Sequence, residues 1–100
     1  MFTVLQTPEF RDWLSRLRDG VGRSAVVARL RKASLGNLGD WKAVGDGVFE
    51  MRVDVGPGYR LYFARRGSTV ILMLGAGDKS KQQSDIQRAR QLLADLKEDG

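Results

Sequence analysis

Charged and aromatic side chains alternate with apolar ones in two consecutive segments of this chain, which is the period of a β-strand. Glu50 and Arg52 take the same phase in the first segment, and Arg60 and Tyr62 do so in the second. Such a set could cleave RNA. A carboxylate takes the proton of the 2′-hydroxyl, guanidinium groups bind the phosphate, and an aromatic ring stacks on a base. Glu50 is the candidate base, because it is the only carboxylate near the middle of this face.

Lys79 is a further candidate, since it follows the most apolar segment of the chain within the sequence GAGDKS. From a loop at the end of a strand it could reach the phosphate as an acid or an electrostatic clamp. The same segment resembles a nucleotide-binding loop, but Asp78 stands where the Walker spacing requires its second glycine. Nucleotide binding is therefore disfavoured. Taken one at a time, the charged residues are better explained as cross-strand ion pairs on a solvated sheet face, and only the set as a whole favours catalysis.

The turn sequence GPG at residues 56–58 sets the register expected for the two alternating strands. If this turn places Val55 opposite Tyr59, then Arg52 lies opposite Tyr62. The four side chains that then share one surface of the sheet are Glu50, Arg52, Arg60 and Tyr62. A slip by one residue would turn every side chain to the other face.

The remaining elements follow from hydrophobic periodicity and turn signals. The predicted strands are residues 2–6, 41–44, 48–55, 59–65 and 70–74, and the predicted helices begin at Pro8, Arg23 and Lys81. Thr7 is expected to cap the first helix, and Gly20 and Gly22 to end it. The order β-α-α-β-β-β-β-α predicts a single α+β domain over residues 1–100. We expect a mostly antiparallel sheet with the helices packed on its one apolar face, and a meander of the last four strands.

Composition narrows the function further. The chain has 17 Lys and Arg against 12 Asp and Glu, for a net charge of +5, which favours an anionic partner or, more simply, a solvated basic surface. It has neither Cys nor His, so thiolate metal sites and the commonest general base are excluded. No metal or small-molecule cofactor is predicted. The chain shows no signal sequence and no apolar run of membrane length, so we expect cytoplasmic localisation and no membrane association.

Basic side chains outside the two strands are candidate contacts to an RNA backbone. Arg23, Arg31 and Lys32 lie in the second predicted helix, and Lys81 begins the last one. Together they would give phosphate contacts that carry no sequence information. The alternative explanation is a solvated helix face.

Three segments of the chain carry a resemblance to a known family. They are GDGVFEMR at residues 45–52, GPGYRLYF at 56–63 and GAGDKSKQQSDI at 75–86. In order and spacing they closely resemble the phage-derived Gp49-like, HigB-like addiction-module killer proteins of the RelE/ParE superfamily, and the resemblance covers essentially the whole chain. It implies a toxin of RelE-like fold that cleaves mRNA on the ribosome, and a cognate helix-turn-helix antitoxin. It also implies that Glu50, Arg52, Arg60 and Lys79 occupy the charged positions of the active face.

The chain departs from that family in lacking His, and Ile86 stands about where RelE itself carries a helical Tyr. Three functions therefore stay open. The first is a metal-independent, ribosome-dependent endoribonuclease, the second a non-enzymatic inhibitor of gyrase as in ParE-like relatives, and the third an inactive RNA- or protein-binding relative. The arginine-rich face and Lys79 favour the first.

Overall fold

The computed structural model describes residues 1–99 and contains one sheet and three α-helices. The strands are β1 (Thr3–Gln6), β2 (Trp41–Gly45), β3 (Val48–Val53), β4 (Tyr59–Arg66) and β5 (Val70–Asp78). The helices are α1 (Pro8–Arg16), α2 (Gly20–Ser34) and α3 (Gln82–Asp99), and a 3-10 turn, Lys79–Lys81, joins β5 to α3. The α+β class is confirmed.

The sheet has the strand order β1-β5-β4-β3-β2. Strands β2 to β5 form the predicted antiparallel meander. β1 lies beside β5 and parallel to it, with Thr3 opposite Val70 and Gln6 opposite Met73. Since β5 continues to Asp78, β1 covers only the first part of its edge.

The helices lie on both faces of the sheet, so the prediction of a single helical face is wrong. α1 and α2 cover one face, in a core that includes Phe10, Val26, Leu61 and Met73. α3 covers the other face. Its buried cluster is Val48, Tyr62, Ala64, Leu72, Leu74, Ile86, Ala89 and Leu93. The physical reason is that β3, β4 and β5 carry apolar side chains in both phases, which requires a cover on each side.

The boundary between the first two helices also differs from the prediction. Thr7 caps α1 as expected, since its hydroxyl accepts the Phe10 N–H at 3.2 Å. Gly20 and Gly22, however, lie in the first turn of α2 and do not end α1. Asp19 starts α2 by accepting the Gly22 N–H at 3.0 Å. Gly22 is required there because a Cβ would lie 2.6 Å from Tyr59 Cε2.

The register between β3 and β4 is shifted by two residues from the predicted one. Val53 lies opposite Tyr59, and Arg52 lies opposite Arg60. The chain uses five residues, 54–58, to make the connection, with Gly58 in the left-handed region at φ +82°. Because the shift is even, every side chain keeps its predicted face.

β5 is longer than predicted, because the expected loop at residues 75–80 is strand as far as Asp78. Phe63 lies opposite Met73 while its neighbour Tyr62 lies opposite Gly75, so Leu74 is an extra residue in the ladder. Within residues 1–99, no helix combines the length and the apolar character needed to cross a membrane.

Candidate functional site

Glu50 lies at the centre of a group of polar side chains on the α3 side of the sheet. Its side chain is fully buried, and Oε1 lies 3.2 Å from Arg60 Nε and 3.7 Å from Arg52 Nε. The two arginines reach the same oxygen because Arg52 and Arg60 are direct partners across β3 and β4. Oε2 accepts a hydrogen bond from Gln82 Nε2 of α3 at 2.9 Å. We call Glu50, Arg52, Arg60 and Gln82 the charged cluster.

The charged cluster has more positive than negative charge. Burying a carboxylate is costly unless it is paired, and two guanidinium groups offset that cost here. The contact between Arg60 Nε and Glu50 Oε1 is an ion pair without hydrogen-bond alignment, and Arg60 Nη1 is buried without a hydrogen-bond partner among the described residues. Arg60 has 13% and Arg52 39% of its side chain exposed. Both therefore retain donors that an incoming anion can use.

Lys79 joins the charged cluster at its outer edge. Its backbone N–H donates to the Gly58 carbonyl at 3.0 Å, which fixes the start of the 3-10 turn against the β3–β4 connection. A Cβ on Gly58 would lie 3.7 Å from Lys79 Cδ and 3.8 Å from Arg60 Nη1, so the two cationic side chains flank the same glycine. Lys81 follows in the same turn and is exposed like Lys79. The structure thus brings together four predicted residues, Glu50, Arg52, Arg60 and Lys79.

Glu50 is not placed to act as the general base. Its carboxylate is fully buried, one oxygen faces two arginines and the other is bonded to Gln82. No substrate hydroxyl can reach it in this conformation. The geometry gives Glu50 a positioning role, in which it fixes the arginines.

Tyr62 is a core residue, which corrects its predicted role as a stacking platform. The ring is fully buried under α3, among residues such as Leu72 and Ile86. Burial, and secondarily the nearby charges of Glu50 and Asp85, raises the pKa of its hydroxyl. A base cannot stack on a ring that has no exposed face.

The basic residues of α2 are not brought to the charged cluster either. Arg23, Arg31 and Lys32 are exposed on a helix that covers the opposite face of the sheet. Arg23 donates to the Leu17 carbonyl between α1 and α2. Any phosphate contact they make belongs to a separate surface.

Asp85 is a polar residue of this face that the sequence reasoning missed. It lies in the first turn of α3, directly over Gly77, where a Cβ would overlap its carboxylate. Burial raises its pKa, and the charges of Arg88 and Lys81 oppose the shift. The available signal was the glycine itself, since a glycine inside a strand often marks the close approach of another group.

Within the part of the chain that the structure describes, no three or more Cys, His, Asp or Glu residues come close enough together to hold a metal ion.

The chain has a close relative in Haemophilus influenzae (strain ATCC 51907 / DSM 11121 / KW20 / Rd), described only as an uncharacterized protein. The two are 40% identical over 93 residues, which is 93% of this chain and 94% of the relative. No protein-family model matches the chain.

Proposed function

We propose that this chain, which belongs to the same family as the uncharacterized Haemophilus influenzae protein, is a toxin that cleaves mRNA and so stops translation. The observation that carries the proposal is the pairing of Arg52 and Arg60 with one buried carboxylate, together with Lys79 on the glycine that Arg60 also flanks. The resemblance of the chain's sequence motifs to RelE/HigB-like toxins supports the same conclusion. So does the sheet, in which an antiparallel meander lies next to a parallel β1, and we assign this arrangement to a RelE-like fold.

The chemistry is an attack of a ribose 2′-hydroxyl on the adjacent phosphorus, which breaks the bond to the 5′-oxygen of the next nucleotide. The 2′-hydroxyl gives its proton to a water molecule, because Glu50 is buried and cannot accept it. Negative charge builds on the two non-bridging oxygens as the new bond forms. Arg60 and Arg52 donate to those oxygens, and preorganised donors of this kind supply a large part of the rate. Lys79 gives a proton to the departing 5′-oxygen. The products are a cyclic phosphate and a 5′-hydroxyl, and the reaction as proposed uses no metal ion and no cofactor.

Glu50 contributes by holding the two arginines in place. A guanidinium group fixed by a buried carboxylate loses less conformational freedom when it binds a phosphate. The rate enhancement then comes mainly from electrostatic stabilisation, and Glu50 takes no proton.

The proposal implies two kinds of partner. The substrate is mRNA on the ribosome in the cytoplasm, and the inhibitor is a cognate helix-turn-helix antitoxin. Lys81, next to Lys79 and exposed, extends the cationic surface along the RNA backbone.

Controlled expression in a bacterial host, with the 5′ ends of transcripts mapped, tests the proposal. The native chain should arrest growth and produce new ends inside translated frames. Lys79→Ala, an exposed change that leaves folding intact, and Arg60→Ala should each reduce cleavage by about 100-fold. Arg66→Ala is the matched control, because Arg66 lies on the same strand and is exposed at its far end. Circular dichroism of each variant separates lost chemistry from lost folding.

The same experiment distinguishes the alternatives. Growth arrest with intact transcripts and a DNA-damage response would overturn the nuclease proposal and indicate a gyrase inhibitor. Absence of any arrest would overturn both and indicate a binding protein without toxicity.

A further inference from the structure

The second half of β5 has no neighbouring strand on the side where β1 pairs with its first half. β1 pairs with residues 70–73 only, so residues 74–78 meet no further strand on that side within the described chain. On the opposite side of β5, the Lys79 N–H donates to the carbonyl of Gly58, the residue just before β4. In an antiparallel pair, every second residue forms hydrogen bonds to the neighbouring strand. By that alternation Gly75 and Gly77 bond to β4, while the N–H and C=O of Ala76 point outward. Ala76 is half-buried, so part of this residue is accessible at the edge.

A groove of about 710 Å³ runs along this open edge, between α1 and α3. Its apolar wall is formed by Trp13 and Leu17 on one side and Leu92 on the other, with Ala76 at its base. The open length is five residues, roughly 17 Å for an extended chain. An open strand edge between two apolar walls is the geometry that accepts an added strand.

Asp85 supplies a second, independent observation. Only 8% of the residue is exposed, and its Oδ2 is buried without a hydrogen-bond partner among residues 1–99. Its other oxygen lies 3.9 Å from the guanidinium of Arg88, which is itself 79% exposed. Asp85 lines the groove. A buried carboxylate with an unused oxygen is costly unless a donor reaches it, so a cationic group that enters the groove beside Asp85 would stabilise this carboxylate.

The charge of the groove agrees with this. Its lining carries four carboxylates and three arginines, Glu9, Asp12, Asp85, Asp95, Arg16, Arg18 and Arg88. It is therefore slightly acidic on a chain whose net charge is +5. Arg16 is already paired with Asp12 at 3.1 Å. An RNA backbone is disfavoured in such a groove, and a basic side chain is favoured.

We propose that this groove binds an extended segment of a partner protein, which adds to the open edge of β5 as a further strand. The segment carries apolar side chains at alternate positions, against Trp13 and Leu92, and a Lys or Arg that pairs with Asp85. This surface is separate from the charged cluster, and the inference does not depend on RNA cleavage.

A peptide selection on the purified, full-length protein tests the inference. A displayed library of random linear peptides of about ten residues, long enough to span the open edge, is the probe. We expect enriched peptides to alternate apolar residues and to contain Lys or Arg. A synthetic peptide of that sequence should change the fluorescence of Trp13, measured in a Trp41→Phe background so that Trp13 is the reporter.

Two substitutions then separate the parts of the site. Asp85→Asn should weaken binding by about tenfold or more, because it removes the charge partner of the basic residue. Asp54→Asn is the matched control, since Asp54 is exposed in the β3–β4 connection. Ala76→Pro removes the outward N–H and should also reduce affinity by about tenfold or more. A peptide N-methylated at alternate positions tests the same hydrogen bonds on the native protein, where no folding defect can intervene.

Failure to enrich any peptide would overturn the inference. So would enriched peptides without a basic residue, or equal binding to native protein and to Asp85→Asn. Equal binding of the N-methylated peptide would overturn strand addition. Loss of RNA cleavage in other variants bears on none of these results.

Discussion

Gly77 shows how the lack of one side chain positions another. Asp85 rests directly on this glycine, and a Cβ there would overlap the carboxylate. We expect Gly77→Ala to push the start of α3 off the sheet and lower the free energy of unfolding by about 1–3 kcal/mol. Gly75→Ala is the matched control on the same strand, because a Cβ at Gly75 would meet nothing within 4 Å. Urea denaturation of both variants measures the difference, and equal midpoints would contradict the placement of Asp85.

The two tyrosines make a second prediction at the residue scale. The Tyr59 hydroxyl donates to Asp19 Oδ2 at 2.6 Å, which raises its pKa to about 12, and burial raises the pKa of Tyr62. The folded protein should therefore show little tyrosinate absorbance near pH 10, where the unfolded chain titrates at about its ordinary value.

The sign of the effect on stability follows from the raised pKa values. Each tyrosine's contribution is fully present below about pH 10 and is lost as the pH rises through the folded-state value. The free energy of unfolding should therefore fall at alkaline pH, and Tyr59→Phe should remove the part of this decrease that is complete near pH 12. Alkaline titration with and without denaturant is the measurement. If both tyrosines titrate near their ordinary pKa in the folded protein, the hydrogen bond described for Tyr59 and the burial described for Tyr62 would be contradicted.

At the scale of elements, the start of α2 was the least predictable boundary. Two glycines separated by a single residue ordinarily indicate a break, but here Asp19 caps a helix that contains Gly20 and Gly22. Asp19 is a residue type that favours the N-cap position, but its side chain is also bonded by Tyr59, 40 positions away in the sequence. No local sequence pattern shows that Asp19 and Tyr59 are in contact.

Gly20 and Gly22 should respond in opposite directions to the same substitution. A Cβ at Gly20 would meet nothing within 4 Å, so Gly20→Ala should raise stability by about 0.5 kcal/mol through helix propensity and a less free unfolded chain. A Cβ at Gly22 would lie 2.5 Å from Asp19 Oδ2, so Gly22→Ala should destabilise the cap. Thermal unfolding of the two variants measures this, and stabilisation by both would contradict the helix start.

Three members of the charged cluster, Glu50, Arg52 and Arg60, could be predicted as a set, although their pairings and the contact of Gln82 could not. Alternation fixes the face of Glu50, Arg52 and Arg60, and the face survives any even shift of register. The residues that lie opposite each other across β3 and β4 depend on the number of residues in the connection between the strands. The alternation of apolar and polar residues does not give that number. The cover over this face was missed because strand periodicity alone does not say where α3 packs. The apolar residues Val48 and Leu74, in the same phase as the charges, were the signal.

At the scale of the whole molecule, cationic groups lie on two opposed surfaces, and salt distinguishes them. If a short single-stranded RNA contacts Arg52, Arg60, Lys79 and Lys81, the logarithm of its affinity should fall with that of salt concentration with a slope of about −3. Lys79→Ala should make the slope shallower by about 0.7. Lys32→Ala, on the α2 surface, should leave it unchanged. Fluorescence anisotropy in a salt series measures these slopes. Equal slopes for both variants would contradict the assignment of the RNA surface to the charged cluster.

The parallel pairing of β1 with β5 has a consequence for how the molecule is made. Thr3 is translated well before its partner Val70, so β1 cannot pair with β5 until Val70 has left the ribosome. Until then β1 and the apolar faces of α1 and α2 have no completed sheet to pack on. A nascent chain interrupted before Val70 is therefore unfinished in both of its cores, and is a target for chaperones and proteases.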